Sequence, residues 1–145
     1  MKVSTKGRYA LRMLLDLAEH KDDGFVSLRA VAERQNISKQ YLEQIVSLLH
    51  TSDILSTSRG KQGGYMLAKE PSRYTVGQIL RITEGGLAPV ACLEDDINQC
   101  ERAGFCKTLP MWQGLNKAIS DYLDNITLQD MLERSHEQDA YTYVI

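Results

Sequence analysis

The sequence has little cysteine, little proline and no long apolar run. Three of its 145 residues are cysteine and three are proline, while 43% are apolar and 25% are charged. This composition excludes a disulfide scaffold, a collagen repeat and a disordered chain. No apolar run approaches the roughly 20 residues that span a bilayer, and the first residues lack the apolar segment of a signal peptide. We therefore expect one cytoplasmic domain with reduced cysteines and no membrane partner.

A strong net charge is also missing, but the sign of the charge differs between the two halves. The net charge is −2. Residues 1–70 hold eleven Lys and Arg against eight Asp and Glu, whereas residues 71–145 hold six against eleven. A basic first half suits contact with nucleic acid, although two differently solvated faces would give the same imbalance. The motifs of nucleotide-binding loops, serine hydrolases and zinc proteases are absent, so we expect no enzyme.

Apolar residues recur at helical spacing in three segments of the first half, each preceded by a capping residue. Ser4 or Thr5 begins a helix to residue 20, Ser27 begins one to about residue 35, and Ser38 begins one to about residue 52. Asn36 separates the second and third helices, because Asn tolerates the left-handed backbone conformation of a tight turn. This order predicts a helix-turn-helix over residues 27–52.

The outward face of the third helix is polar. Its side chains are short donors and acceptors of the kind that reach base edges in a major groove. They are Ser38, Lys39, Gln40, Tyr41, Glu43, Gln44 and Ser47. A plain helical hairpin with a solvated polar face would show the same pattern.

Two short strands are predicted next, over residues 54–58 and 65–67. The tip between them is rich in glycine and carries Arg59, Gly60 and Lys61. Glycine lets a backbone approach a phosphate closely, and an arginine on such a tip can enter a narrow minor groove; an ordinary turn would also carry these residues. The predicted fold is mainly α: a winged helix-turn-helix of three helices and a two-stranded β wing, followed by a long C-terminal dimerisation helix.

The second half is predicted to hold a loop and a dimer seam. Thr75 begins a helix to about Glu84. The apolar residues of 85–107 show no regular spacing, so this segment is predicted to be a loop. From Pro110 a long helix is predicted to about Asn125. Its apolar residues follow the 3-4-3-4 spacing of a coiled-coil seam: Trp112, Leu115, Ile119, Tyr122 and Ile126. A short last helix follows Thr127, and residues 140–145 are predicted to form an extra strand or a frayed end.

Three regions follow from these patterns. Residues 1–84 are the predicted winged helix-turn-helix region, residues 85–107 are a cysteine-containing sensor loop, and residues 108–145 are a dimerisation helix with a tail.

All three cysteines, Cys92, Cys100 and Cys106, lie in the predicted loop. Thiolates gathered on one loop suit a soft metal centre, and cysteine is the usual ligand of iron–sulfur clusters. Zinc would satisfy the same chemistry, and the spacing also allows three unrelated thiols or a redox-reactive pair. A fourth ligand could be an exogenous thiol, a water, or a nearby acid from the set Glu94, Asp95, Asp96 and Glu101.

Four motifs, in order along the chain, carry a resemblance to a known family. They read S-T-K-G-R-Y-A-L at 4–11, Y-L-E-Q at 41–44, R-G-K-Q-G-G-Y at 59–65 and N-I-T-L-Q-D-M-L at 125–132. Together they resemble the Rrf-two (Rrf2) family of bacterial winged-helix transcriptional regulators, the group that includes IscR, NsrR and CymR. The resemblance implies a homodimer on double-stranded operator DNA, with the third helix in the major groove and the wing in the minor groove.

The resemblance also implies roles for individual residues. Tyr41, Glu43 and Gln44 would face bases, and Arg59 with Gly60 would enter the minor groove. Lys6 and Arg8 would contact phosphates. The position of Lys61 on the glycine-rich tip separately predicts a phosphate contact for that residue. Cluster-binding members carry three cysteines in this loop, which implies an iron–sulfur cluster on Cys92, Cys100 and Cys106, its type left open. Leu109 stands where the iron–sulfur biogenesis regulators of the family have a histidine.

The C-terminal residues 137–145 resemble a different branch of the family. They are similar to the C-terminus of CymR-like repressors of cysteine metabolism, which carry no cluster and take their signal from a partner cysteine synthase. Two regulator hypotheses therefore stand together: a repressor that senses iron–sulfur or redox status through its cysteine loop, and a CymR-like repressor without a cluster. A thiol-redox adapter that does not bind DNA is the distant third.

Overall fold

The computed structural model describes the backbone of residues 2–144 and the side chains of residues 2–139. Over this range the predicted mainly helical architecture with a two-stranded wing is confirmed. The elements are α1 (Thr5–Glu19), α2 (Leu28–Gln35), α3 (Lys39–His50), β1 (Leu55–Ser58), β2 (Gly64–Leu67), α4 (Val76–Glu84), α5 (Leu109–Asp124) and α6 (Leu128–Val144). None of the helices within residues 2–144 has the length and apolar character to cross a membrane.

The main apolar core is formed by the first four helices, the two wing strands and the last helix. Its wholly buried side chains are Ala10, Met13, Leu14, Leu42, Ile45, Leu49, Ile79 and Leu128. The apolar stripes predicted for the first and third helices supply six of them. Leu128 comes from α6, so a helix far away in sequence completes the core of the helix-turn-helix.

Serine caps and a left-handed asparagine form the helix-turn-helix as predicted. The Ser27 hydroxyl accepts the Ala30 N–H at 3.1 Å and so caps the start of α2. Asn36 adopts φ 54° and ψ 48°, which turns the chain between α2 and α3. At the start of α1 the cap is Ser4, whose hydroxyl accepts the N–H of Gly7 at 3.1 Å.

The wing is an antiparallel pair fixed to the start of α2. Leu55 faces Leu67 at its base and Ser58 faces Gly64 near its tip. Val26 pairs with Tyr65 as well, with its N–H donating at 2.9 Å and its carbonyl accepting at 2.8 Å. These bonds set the direction of the wing relative to the helix-turn-helix.

Gly64 permits this contact, and we predict that Gly64→Ala destabilises the protein by about 2 kcal/mol or more. A Cβ atom at this position would lie 2.2 Å from the carbonyl oxygen of Val26, which cannot move because Tyr65 binds it. Thermal unfolding followed by circular dichroism measures the effect. Gly104→Ala is the control, since nothing lies within 4 Å of its Cβ position. Equal melting temperatures for the two variants would contradict the prediction.

The C-terminal half differs from the prediction in two places. First, α6 is not short: it runs for 17 residues, and residues 140–144 continue it rather than forming a strand, while residue 145 lies outside the described residues. The polar run 133–139 hid this length, because it gave no apolar period. Second, Ile126 lies after α5 and is buried in its own chain, so it does not belong to a seam on α5.

Candidate nucleic-acid interface and cysteine loop

The outward face of α3 presents polar side chains to solvent. Lys39, Gln40, Glu43 and Gln44 are all exposed. The Lys39 ammonium lies 3.8 Å from the Glu43 carboxylate, and both side chains remain more than half exposed at 59% and 55%. An exposed pair of this kind is worth little, so a binding partner can open it.

Ser38 and Tyr41 differ from these four residues, because contacts within the protein hold both of them. The Ser38 hydroxyl caps α3 by accepting the N–H of Tyr41 at 3.1 Å, so its role within the chain is structural. The Tyr41 ring is half-buried and packs against the core. Its orientation is therefore set by the protein before any ligand arrives.

The tip of the wing is an exposed turn that carries two cations. Gly60 has φ +107°, a conformation that strains any residue with a Cβ atom. Its carbonyl accepts the N–H of Gly63 at 3.1 Å, which closes the turn. Arg59 and Lys61 flank this glycine, and both are exposed.

A groove of about 540 Å³ lies between α3 and the wing, and part of the predicted contact set lines it. The predicted residues of these two elements that do not line it are Ser38, Gln40, Tyr41, Gln44, Gly60 and Lys61. Lys39 and Glu43 line it from α3, and Arg59 lines it from the wing. Arg29 of α2 and His50 at the end of α3 line it too. Among the described lining residues, Glu43 is the only carboxylate beside three cations and a histidine, so the groove favours an anion.

Sequence reasoning missed Arg29 and His50 as members of this groove. His50 could have been found, because Glu43, Ser47 and His50 follow the 4-3 spacing of one helix face. Arg29 had no such signal. It reaches the groove only because the bonds between Val26 and Tyr65 place the start of α2 against the wing.

Lys6 and Arg8 lie on the first turns of α1, away from the lining of the groove. Arg8 is exposed and donates to the Thr5 hydroxyl at 3.1 Å, whereas Lys6 is half-buried. The two residues flank the buried Gly7 in the chain, but side chains two residues apart on a helix point in different directions. A contact there would need a partner that extends past the groove.

The loop between α4 and α5 holds three free thiols. Cys92 and Cys106 are half-buried and Cys100 is exposed. A hydrogen bond with the Thr108 hydroxyl, at 3.4 Å from Sγ, lowers the pKa of Cys106. The N–H of Cys100 donates to the Asn98 side chain at 2.9 Å.

The thiols fit an iron–sulfur cluster by their chemistry, but the loop does not gather them as it stands. Across the described residues, no three His, Cys, Asp or Glu side chains come close enough to hold a metal ion. Glu94, Asp95 and Asp96 line a separate cavity of about 660 Å³ between α4 and α5, and none of the cysteines lines it. Holding a cluster would therefore require the loop to close around it.

The helix α5 has an apolar face and not one buried residue. Met111, Leu115 and Tyr122 are exposed by 54%, 41% and 64%. Ile119 differs, since it packs against a small core beside α4 within its own chain. Arg81 of α4 binds Asp124 with two hydrogen bonds of 2.6 and 3.0 Å, which joins the end of α5 to α4.

A helix-turn-helix followed by a two-stranded wing defines the chain as a winged-helix protein. The Rrf2 family, described as iron-dependent transcriptional regulators, matches residues 3–134. The HTH-type transcriptional regulator CymR of Bacillus subtilis is 38% identical over 146 residues, covering 100% of both chains. The chain therefore belongs to the Rrf2 family of transcriptional regulators.

Solved structures agree with this assignment. The structure of CymR, the global cysteine regulator of B. subtilis, matches with a TM-score of 0.76 at 36% identity, covering 92% of this chain and 98% of that one. The structure of T. potens IscR matches with a TM-score of 0.75 at 40% identity, covering 95% and 90%. The similarity thus extends to two differently named regulators of one family.

Proposed function

We propose that this transcriptional regulator is a cytoplasmic repressor that binds double-stranded operator DNA as a homodimer. The observation that carries the proposal is the cationic groove between α3 and the wing. Its position and charge suit a duplex whose major groove receives α3 and whose minor groove receives the wing tip. The apolar face of α5 supplies the dimer contact.

The predicted residues divide into three groups in this proposal. Tyr41, Glu43 and Gln44 read bases from α3, while Arg59 and Gly60 enter the minor groove. The remaining members contact phosphates or position α3; they are Lys6, Arg8, Ser38, Lys39, Gln40 and Lys61. Residues 1–84 form the DNA-binding region, residues 85–107 the sensor loop, and residues 108–145 the dimerisation helix and tail.

The experiment that tests the proposal is selection of duplexes from a random-sequence library, followed by titration of the selected duplex at several salt concentrations. Binding should weaken steeply as salt rises, because phosphate contacts release counterions. Replacing Lys61 by alanine should weaken all sequences alike and reduce the salt slope by about one. Lys69→Ala is the control, because this cation follows β2 at the base of the wing and not at its tip. Failure to enrich any sequence would refute the proposal and favour the adapter hypothesis.

Glu43 gives a sharper prediction, because a carboxylate beside DNA is repelled by phosphate. It gains only where it accepts a hydrogen bond from cytosine N4. Glu43→Ala should therefore lose roughly 1–3 kcal/mol of discrimination at one base pair, with little loss of affinity for sites that lack that cytosine. Competition binding with single-base-pair variants measures this. A uniform loss over all variants would mean that Glu43 has a structural role.

We further propose that the loop with Cys92, Cys100 and Cys106 is the sensor, and that it holds an iron–sulfur cluster. The supporting observations are the three free thiols and their place between α4 and α5. Ordering this loop would change how α4 meets α5, and so the spacing of the two α3 helices across the dimer. A switch requires such a difference between two states.

A second candidate is a CymR-like repressor whose loop binds no metal and whose signal comes from a partner cysteine synthase. The specific observation in its favour is that the described thiols do not converge on one point. The similarity to CymR over the full length of both chains supports it as well. Iron uptake separates the two candidates.

A further inference from the structure

A polar stripe on α1 is not used by any of the roles above. It consists of Tyr9, Arg12 and Asp16, spaced by 3 and 4 residues and so lying on one face of the helix. All three contact the end of α2 or the start of α3. The stripe therefore lies against the turn between α2 and α3, and this turn sets the direction of α3.

Asp16 fixes the end of α2. Its side chain is 1% exposed and accepts hydrogen bonds from Arg34 at 2.6, 3.0 and 3.3 Å and from the Gln35 amide at 3.0 Å. Burial alone would raise the pKa of Asp16, but the hydrogen bonds from Arg34 and Gln35 lower it below its usual value. The carboxylate thus stays charged and holds the last turn of α2.

Arg12 contacts both the end of α2 and the aromatic ring of Tyr9. Its guanidinium donates to the carbonyl oxygen of Gln35 and, at 3.3 Å, to the Gln35 side-chain oxygen. The same guanidinium lies 5.1 Å from the centre of the Tyr9 ring, a cation–π contact. The Tyr9 ring is therefore in contact with a guanidinium that is itself hydrogen-bonded to Gln35 at the end of α2.

Tyr9 also contacts Tyr41 in the first turn of α3. The two ring centres are 5.5 Å apart and the rings are inclined by 77°, an edge-to-face pair. Tyr41 is half-buried, and the exposed Gln44 follows it three residues later on the same side of α3. Contact with Tyr9 leaves the Tyr41 ring fewer orientations than its exposed neighbours have.

We propose that Tyr9 is a positioning residue for sequence recognition, and that it holds the Tyr41 ring in the orientation that reads the operator. The inference rests on the proposed DNA-binding function and deepens it. Tyr9 itself contacts no base in this role. It contributes by reducing the orientations of Tyr41, so that its loss costs discrimination rather than overall affinity.

A double-mutant cycle tests the proposal, using the duplex selected with the wild-type protein and its single-base-pair variants. Tyr41→Leu first identifies the base pairs at which discrimination falls. At those pairs Tyr9→Met, which keeps apolar volume but removes the ring, should lower discrimination roughly 2- to 10-fold. In the Tyr41→Leu background the same substitution should have no further effect, because the residue through which Tyr9 acts is gone.

Tyr9→Phe is the matched control, since it keeps the ring and should keep discrimination. Tyr9→Leu serves as a second ring-free variant, and circular dichroism confirms that each variant is folded. An equal loss in both backgrounds, or one spread evenly over all base pairs, would show that Tyr9 is merely structural and would overturn the inference, as would a Tyr41→Leu variant with unchanged discrimination. If wild-type protein enriches no duplex, the proposed function fails first and the inference with it.

Discussion

Leu115→Glu is expected to convert the protein from a dimer into a monomer and to weaken binding to the selected duplex by roughly 100-fold or more. Leu115 is 41% exposed on a helix that buries none of its residues within its own chain. A helix of 16 residues with such a face gains most of its stability from packing against a partner. A charge placed in the middle of that face would be buried without a counter-ion, and a monomer can engage only one half-site.

Leu115 is a better probe than Ile119, although the spacing of the seam includes both. Ile119 also packs within its own chain, so a charge there would damage the fold as well as a dimer. Gln113→Glu is the matched control, because it adds the same charge on the opposite side of α5. Sedimentation at micromolar concentration measures the state of each variant. A monomeric wild type, or a dimeric Leu115→Glu variant, would contradict the dimer proposal.

The parts of the fold that were predicted well are those with local causes. Ser27, Asn36 and Ser38 each act through their own backbone or through a residue three positions away, so their consequences can be derived from the sequence alone. The wing could be predicted for the same reason, since the glycines of its tip mark a tight turn between two short strand-forming segments.

The missed features depend on contacts between distant segments. The burial of Leu128 in the main core makes α6 part of that core. The apolar face of a helix can be predicted from its sequence, but no local pattern indicates which other helix that face will pack against. Asp16 is a similar case, because the role of this buried charge depends on Arg34 of α2, which lies 18 residues further along the chain. The groove gained Arg29 through the pairing of Val26 with Tyr65, two residues far apart in the chain.

The cysteine loop is the region where the sequence and the structure favour different answers. The sequence places three thiols within fifteen residues, whereas the described side chains show no group gathered for a metal ion. Both observations hold for a loop that closes only around its ligand. A direct measurement of iron binding distinguishes such a loop from one that binds no metal.

Anaerobic reconstitution with iron and sulfide is expected to give visible absorption bands in the wild-type protein and to leave Cys100→Ala almost colourless. Cys100 is the thiol to replace, because it is exposed and its loss should disturb the fold least, while thiolates are the principal ligands of such clusters. Gln99→Ala is the matched control in the same loop, since its amide makes only a weak 3.5 Å contact with the carbonyl of Ile97. Leu109 cannot act as a ligand, so three cysteines must carry most of the affinity, and removing one should abolish it. If the wild type takes up no iron, or Cys100→Ala takes up as much, the cluster proposal is wrong and the CymR-like repressor becomes the better account.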